Sequence, residues 1–345
     1  MMNQIQRIEA FIHLGEALEK ALVVQTSTYS RMVQEAISKA ESANPWFIRI
    51  HIERALSEIA FMLKNIDPQA LHSNYPDRID VAKTVAVIMA GNIPLVGFQD
   101  FAHVLISGHK IICKLSSDDN VLLPVIADIL CEIEQEFKEY IYFENQFIKN
   151  FDAVIATGTD NTARYFEYYF SKYPHIIRKN RNSIAVLNGQ ETNEELEQIA
   201  DDVFMYFGFG CRNVSFFLVP EHYDFQLFIA ASQKYSHFQH HTKYMNNYEY
   251  YRAIHIVNAT PFVDGGFCML IPSDKLNSPP GIFHYLQYYS LLEVNEYIDF
   301  NFNNIQCIVS VDSIHDAVIM PGNSQSPGFT DFSDGIDTLK FLSGI

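Results

Sequence analysis

The sequence predicts an α/β protein built on parallel sheets, and three observations support that fold class. Four short apolar runs rich in valine, isoleucine and alanine recur along the chain, at 84–91, 109–116, 151–158 and 182–189. Each run passes through a turn into a helical pattern, which is the connection typical of parallel strands. The runs are also almost continuously apolar, as expected where helices cover both faces of a sheet.

Helical periodicity dominates the first part of the chain. Apolar side chains recur at spacings of three and four residues, as in amphipathic helices, over residues 3–24, 28–43 and 46–65. Later helices are expected to follow the apolar runs, at about 96–107 and 118–137 and from Asp160 and Thr192 onward. A further strand is expected at NVSFFLVP, with a helix near 224–235 and looser mixed structure after it.

The chain has 345 residues and a formal net charge of −17, from 24 lysines and arginines against 41 aspartates and glutamates. Its length predicts about two domains. The acidic excess argues against nucleic acid as a partner, because phosphate binding needs a basic surface. No run approaches ~18 unbroken apolar residues and no signal-peptide pattern opens the sequence, so we expect no membrane span and a cytoplasmic location.

One cysteine differs from the other four in its sequence context. Cys211 follows two glycines in FGFGCRN, between a predicted helix and a predicted strand, and the neighbouring Arg212 favours the thiolate. Two interpretations stay open from the pattern alone: a nucleophile, or an ordinary turn or core residue. The remaining cysteines form no CxxC pair and are expected to be reduced and buried: Cys113, Cys131, Cys268 and Cys307.

Turns after the predicted strands offer candidate ligand sites, because helix N-termini there present N–H groups to anions. ATGTDNTA places Gly158 and Thr159 at one such turn, either as a phosphate contact or as an ordinary turn, and the chain has no GxGxxG fingerprint. The histidines of SHFQHHTKY lack the glutamate of zinc-hydrolase motifs, so we predict surface histidines and no metal site.

Five motifs occur in the order AGNIPL, KLSSD, ATGTDNTAR, AVLNGQ and FGFGC. Together they resemble the aldehyde dehydrogenase superfamily, and in particular its acyl-CoA reductases of the bacterial luminescence type, from about Thr84 to Pro220. The resemblance implies two Rossmann-like parallel α/β domains with a helical N-terminal segment. The expected nucleotide-binding domain covers 1–185 with part of 310–345, and the expected catalytic domain covers 186–309.

The resemblance assigns roles to individual residues. Cys211 is implied to be the nucleophile that forms an acyl thioester, and the side-chain amide of Asn92 to bind the oxyanion together with the backbone N–H of Cys211. Seven further residues are implied to bind the cofactor, at its adenosine ribose, its pyrophosphate or its nicotinamide: Lys114, Ser116, Ser117, Gly158, Thr159, Thr162 and Leu187.

The implied reaction depends on a departure from the family pattern. Aldehyde-oxidising relatives carry a glutamate in ELGG that activates water, whereas this chain has Val186 or Leu187 at the corresponding place in AVLNG. The resemblance therefore implies NAD(P)H-dependent reduction of an acyl-CoA, or a related acyl thioester, to an aldehyde. Two alternatives remain: a hydrolytic aldehyde dehydrogenase with Glu191 as base, and a catalytically silent assembly subunit of an acyl-activating complex.

A second departure concerns the choice of cofactor. Ser117 stands where NAD-preferring relatives carry the glutamate of KPSE, whose carboxylate repels a 2′-phosphate. The resemblance thus favours NADPH over NADH, unless Asp118 supplies the carboxylate instead. It also implies a homo-oligomer and leaves room for an acyl-activating partner enzyme.

Overall fold

The computed structural model describes residues 2–24, 26–76 and 81–345. The chain divides into two compact units: unit 1 is Met1–Asn180 with Pro327–Ile345, and unit 2 is Arg181–Ser326. Unit 2 is therefore inserted into unit 1. The boundary falls after Asn180, ahead of the expected residue 185, because the strand that follows pairs with strands of unit 2.

Unit 1 begins with four helices: α1 (Gln4–Val23), α2 (Ser30–Ala43), α3 (Arg49–Lys64) and α4 (Pro68–Asn74). Local signals start two of them, since the side chains of Asn3 and Asp67 accept backbone N–H groups at the beginnings of α1 and α4. Their apolar faces bury large side chains such as Phe11, whose ring meets that of Phe101 edge-on. The predicted helical periodicity is confirmed for the first three helices.

A five-stranded parallel sheet completes most of unit 1, with β1 (Thr84–Ile88), β2 (Lys110–Lys114), β3 (Ile141–Phe143), β4 (Ala153–Thr157) and β5 (His175–Arg178). The strand order is 3-2-1-4-5, a doubly wound arrangement. Val85 and Val87 pack into one apolar cluster and Ala86 into another, because successive strand residues face opposite sides. The other helices of unit 1 are α5 (Phe98–Ile106), α6 (Leu122–Ile133), α7 (Asp160–Phe170) and the late α12 (Thr338–Leu342).

Unit 2 contains a second sheet with seven strands: β6 (Asn182–Val186), β7 (Val214–Pro220), β8 (Val263–Asp264), β9 (Met269–Pro272), β10 (Ile282–Tyr288), β11 (Ile305–Val309) and β12 (Val318–Ile319). Their order is 12-11-6-7-10-9-8, and β8 with β9 is the antiparallel pair. The helices are α8 (Asn193–Phe204), α9 (Gln226–Ala231), α10 (Thr242–Val257) and α11 (Leu291–Asn301). The predicted α/β class with parallel sheets is confirmed. Across the described ranges, no helix combines the length and apolar character needed to span a membrane.

Residues 327–345 return to unit 1, where hydrogen bonds from buried side chains hold them. His103 on α5 hydrogen-bonds to the carbonyl of Phe329 at 2.9 Å and packs edge-on against its ring. Arg178, at the end of β5, donates to the hydroxyl of Thr338 at 2.8 Å. These contacts anchor the C-terminal segment to unit 1, and its buried residues are Phe329, Thr338, Leu339 and Leu342.

We expect His103 to make the stability of the fold depend on pH. Burial lowers its pKa from the ordinary 6.5 to about 4, and its Nδ1 has no hydrogen-bond partner among the described residues. At pH values between about 4 and 6.5, His103 is protonated in the unfolded chain but stays neutral in the folded chain. Stability should therefore fall by about 3 kcal/mol as pH drops from 6.5 through 4.

Denaturant titrations at several pH values measure this dependence. The fall should be clearly smaller in His103→Gln, whose amide can still donate to the carbonyl of Phe329. His13→Gln, which changes an exposed histidine on α1, should behave like wild type. An equal fall in wild type and His103→Gln would show that His103 is not the group responsible.

Candidate active site

The carboxyl ends of three neighbouring strands of unit 1 meet at one edge of its sheet. Ile88, the last residue of β1, pairs in register with Lys114 on β2 and with Ala156 on β4. In a doubly wound sheet, ligands bind outside this edge, where the connections diverge on either side of the central strand. The structure thus brings six of the candidate residues to one edge: Asn92, Lys114, Ser116, Ser117, Gly158 and Thr159.

The turn between β4 and α7 is built around Gly158. A Cβ placed there would lie 3.0 Å from the Cβ of Thr162, closer than side chains ordinarily approach. Glycine therefore fits this position, and it leaves the backbone of the turn uncovered by a side chain. Thr159 caps the helix, since its hydroxyl accepts the N–H of Thr162 at 3.4 Å. A bare backbone at a helix N-terminus suits an anionic group such as a phosphate.

The turn after β2 presents a hydroxyl to solvent. Ser116 Oγ accepts the N–H of Asp118 at 3.2 Å, whereas the side chain of Ser117 is exposed. The ammonium group of Lys114 donates to the carbonyl of Asn145. A hydroxyl and an ammonium group in one short turn can bind a sugar hydroxyl or a phosphate.

The loop after β1 carries the exposed Asn92, and a hydrogen bond to a buried carboxylate holds this loop in place. Leu95 has a φ of 59°, where residues with side chains rarely lie, and its N–H donates to the carboxylate of Asp119 at 2.7 Å. At Gly91 a Cβ would stand 2.6 Å from the Cβ of Ser116, so only glycine allows these two loops to touch. Burial raises the pKa of Asp119 to about 6. Sequence reasoning missed Asp119, which fixes the loop of Asn92.

In unit 2, Cys211 is half-buried in the turn between α8 and β7. Tyr206 and Phe207, just before it, have φ values of 54° and 57°, which bulky residues adopt only where their surroundings impose them. The ring of Phe207 packs against those of Phe238 and His241, with both centroid distances at 4.4 Å. Aromatic packing therefore offsets the backbone strain ahead of the cysteine.

A buried amide closes the same turn. Asn213 accepts the N–H of Gly210 at 2.8 Å, and its amide group donates to the carbonyls of Asp202 and Met205 at 3.1 and 2.8 Å. Carbonyls at a helix end lack partners within the helix, so this side chain satisfies the end of α8 while it fixes the loop of Cys211. Sequence reasoning missed Asn213, although an asparagine in a helix-to-strand turn is a recognisable turn signal.

Burial distinguishes Cys211 from most of the other cysteines. All five lie in the described part of the chain, and none is in a disulfide. Burial raises the pKa of Cys113, Cys268 and Cys307, to about 12 for Cys268, and so keeps these thiols protonated. Cys131 on α6 is half-buried rather than buried as expected, because its helix face lies at the margin of the core.

Leu187 and Glu191 lie at the opposite end of the sheet from Cys211. The carbonyl of Cys211 accepts the hydroxyl of Ser183 at 2.9 Å, whereas Leu187 follows the end of that strand, about 13 Å further on. The carboxylate of Glu191 accepts the N–H of Asn188 in its own turn. This placement argues against Glu191 as a base beside a thioester on Cys211, and Leu187, which is implied to lie near the nicotinamide, follows the same remote end of β6.

The histidine-rich segment serves local structure. His241 Nδ1 accepts the N–H of Tyr244 and so caps α10, while His237 and His240 are exposed. Within the ranges that the structure describes, no group of three or more histidine, cysteine, aspartate or glutamate side chains is arranged to hold a metal ion.

The fold is that of the aldehyde dehydrogenases. An indole-3-acetaldehyde dehydrogenase solved with NAD+ has a TM-score of 0.64 at 12% identity, over 90% of this chain and 72% of its own. The KauB aldehyde dehydrogenase of Pseudomonas aeruginosa has a TM-score of 0.62 at 13% identity, and the match covers 90% of this chain and 72% of KauB. An NAD-dependent benzaldehyde dehydrogenase of Corynebacterium glutamicum has a TM-score of 0.63 at 11% identity, and the match covers 90% of this chain and 77% of the dehydrogenase.

A sequence profile of the acyl-CoA reductase (LuxC) family matches residues 16–226. The match covers more than half of the chain, and the protein belongs to this family. It is therefore an oxidoreductase of the reductase or aldehyde dehydrogenase type that acts on acyl or aldehyde groups. A search among curated protein sequences gives no match. The family expected from the five ordered motifs is confirmed.

Proposed function

We propose that this protein reduces an acyl-CoA to the corresponding aldehyde through a thioester on Cys211. The observation that carries the proposal is the turn of this cysteine, which is strained, hydrogen-bonded and half-buried in a chain of the acyl-CoA reductase family. Such a turn suits a nucleophile, because fixed orientation lowers the barrier to acyl transfer.

The proposed reaction takes place on Cys211 in three steps. The thiolate of Cys211 attacks the acyl carbonyl, and coenzyme A leaves as its thiol after taking up one proton. A nicotinamide cofactor, when bound, would supply the hydride that reduces the acyl carbon. The thiohemiacetal on Cys211 then collapses to the aldehyde and restores the thiolate. The amide of Asn92 and the backbone N–H of Cys211 are the proposed donors to the oxygen that becomes negatively charged.

The carboxyl edge of the sheet in unit 1 is the proposed dinucleotide site. The bare backbone of the β4–α7 turn suits a pyrophosphate, and the exposed hydroxyl after β2 suits a ribose or its phosphate. Leu187 is not among the proposed cofactor ligands, because it follows the end of β6 that is remote from Cys211. The residues proposed to bind the cofactor are Lys114, Ser116, Ser117, Gly158, Thr159 and Thr162.

NADPH is the proposed cofactor, and Ser117→Glu should reverse the preference. Ser117 is exposed in the turn after Lys114, so a 2′-phosphate bound there would meet a hydroxyl and a cation. A glutamate would repel that phosphate and accept hydrogen bonds from the ribose hydroxyls instead. We expect NADPH binding to weaken by at least about tenfold while NADH binding is kept. Fluorescence titration with both reduced cofactors measures the change.

Asp118→Asn is the matched control, because Asp118 is the exposed carboxylate next along the same turn. It should leave the preference unchanged. A shift toward NADPH in Asp118→Asn, or tighter binding of NADH than of NADPH in wild type, would show that Ser117 does not select the cofactor.

The proposed function is tested by NADPH oxidation with acyl-CoAs of increasing chain length. We expect one aldehyde and one coenzyme A thiol for each NADPH oxidised. Oxidation of an aldehyde to its acid without coenzyme A would identify a hydrolytic dehydrogenase instead. No turnover with any acyl-CoA, even after an acyl-activating enzyme is added, together with no labelling of Cys211 by a thiol reagent, would identify the catalytically silent assembly subunit.

A further inference from the structure

We propose that Ser183 is a positioning residue for Cys211, a role that rests on the proposed function of this cysteine. Ser183 on β6 is 0% exposed. Its hydroxyl donates to the carbonyl of Cys211 at 2.9 Å and accepts the N–H of Cys307 on β11 at 3.0 Å. One buried hydroxyl thus connects the turn of Cys211 to two strands of the sheet.

The pairing of β6 with each of its two neighbouring strands, β7 and β11, is irregular at Ser183. The register with β7 skips Ser215 between the partners of Ser183 and Ile184. The register with β11 shifts at the same point, between Ile305 and Ile308. Bulges of this kind occur beside active sites, where they redirect a side chain or end a ladder. Here they leave a gap in which a side-chain hydroxyl replaces backbone hydrogen bonds.

Both peptide groups that flank Cys211 are held. The carbonyl of Gly210 accepts the N–H of Asn213 at 3.0 Å, which orients the peptide group that contains the N–H of Cys211. The hydroxyl of Ser183 binds the carbonyl of Cys211 and so orients the next peptide group. With both planes held, the backbone angles of Cys211 are set, and with them the direction in which its Cβ projects. Loss of the Ser183 hydroxyl removes the hydrogen bond that orients the peptide group after Cys211.

Ser310 supplies a matched control at the opposite end of β6. Its side chain is 1% exposed, and its hydroxyl donates to the carbonyl of Val186 at 3.0 Å and accepts the N–H of Asp312 at 3.2 Å. Ser183→Ala and Ser310→Ala each remove one buried hydroxyl that makes one donated and one accepted bond. We therefore expect similar losses of stability, whereas only the first change reaches the turn of Cys211.

Two measurements on the full chain separate positioning from stability. The first is the rate at which an acyl-CoA acylates Cys211 without reduced cofactor, followed by rapid quenching and intact mass. The second is amide hydrogen exchange in the segment 205–214. We expect Ser183→Ala to slow acylation by about tenfold and to speed exchange in this segment. Ser310→Ala should change neither, and Ser183→Thr, which keeps the hydroxyl, should acylate at close to the wild-type rate.

Equal acylation rates in Ser183→Ala and Ser310→Ala would overturn the proposal. It is also overturned if Ser183→Ala fails to fold while Ser310→Ala folds, because the hydroxyl is then a structural link. Failure of the proposed function is distinguishable, since wild-type Cys211 would then not be acylated by any acyl-CoA. In that case unchanged exchange in Ser183→Ala would still overturn the positioning role, and faster exchange would support it.

Discussion

Replacement of Cys211 by alanine is expected to lower the rate of aldehyde formation by about four orders of magnitude or more, because no thioester can form. The fold should remain, since the half-buried side chain contributes little to the core and the turn is held by Asn213 and Phe207. Steady-state NADPH oxidation, aldehyde yield and the mass of the acyl-enzyme measure the effect together.

Cys131→Ala is the control for this experiment, because Cys131 is also half-buried but lies on a helix of unit 1. It should keep full turnover and still form the acyl-enzyme on Cys211. Cys113→Ala and Cys268→Ala remove buried thiols and should lower stability by about 1 kcal/mol without a change in chemistry. Undiminished turnover in Cys211→Ala would rule out the thioester mechanism.

Replacement of Asn92 by alanine is expected to lower turnover by about 10²–10³-fold with little change in cofactor affinity. The amide is needed mainly while charge develops on the substrate oxygen, so the chemical step should slow more than binding. Asn92 is exposed, and its loop is fixed by the hydrogen bond from Leu95 to Asp119 rather than by its own side chain alone. Single-turnover kinetics and cofactor titration separate the two effects.

Asn65→Ala provides the comparison, since Asn65 is an exposed asparagine of unit 1 at the end of α3. Its loss should leave both turnover and cofactor binding as they are. A large rise in the cofactor dissociation constant of Asn92→Ala, with turnover preserved, would move Asn92 from oxyanion binding to a structural role.

Much of the fold could be predicted because strands β1, β4, β6 and β7 are buried and apolar over most of their length. The boundary at Asn180 could not, since β6 has the same apolar pattern as the strands of unit 1 and its partners are chosen by tertiary contacts. The two shortest of the late strands were also out of reach. Strands β8 and β12 have two residues each, too few to show a period.

The candidate site was predictable where a residue has a distinctive local pattern, as Cys211 has beside its glycines. The residues that hold it were missed because serine and asparagine are common and act here through distant contacts. Ser183 lies 28 positions from the carbonyl that it binds. The left-handed backbone at Phe207 was likewise beyond prediction, because a bulky side chain argues against that conformation and only its packing enforces it.

The return of residues 327–345 to unit 1 sets the order in which the protein can be completed during its synthesis. The ribosome produces unit 2 in one continuous stretch, Arg181–Ser326, before the last part of unit 1 exists. Until that part emerges, the hydrogen bonds that His103 and Arg178 make to it cannot form. The nascent chain can therefore finish its second unit before its first, the reverse of the usual order from the N-terminus.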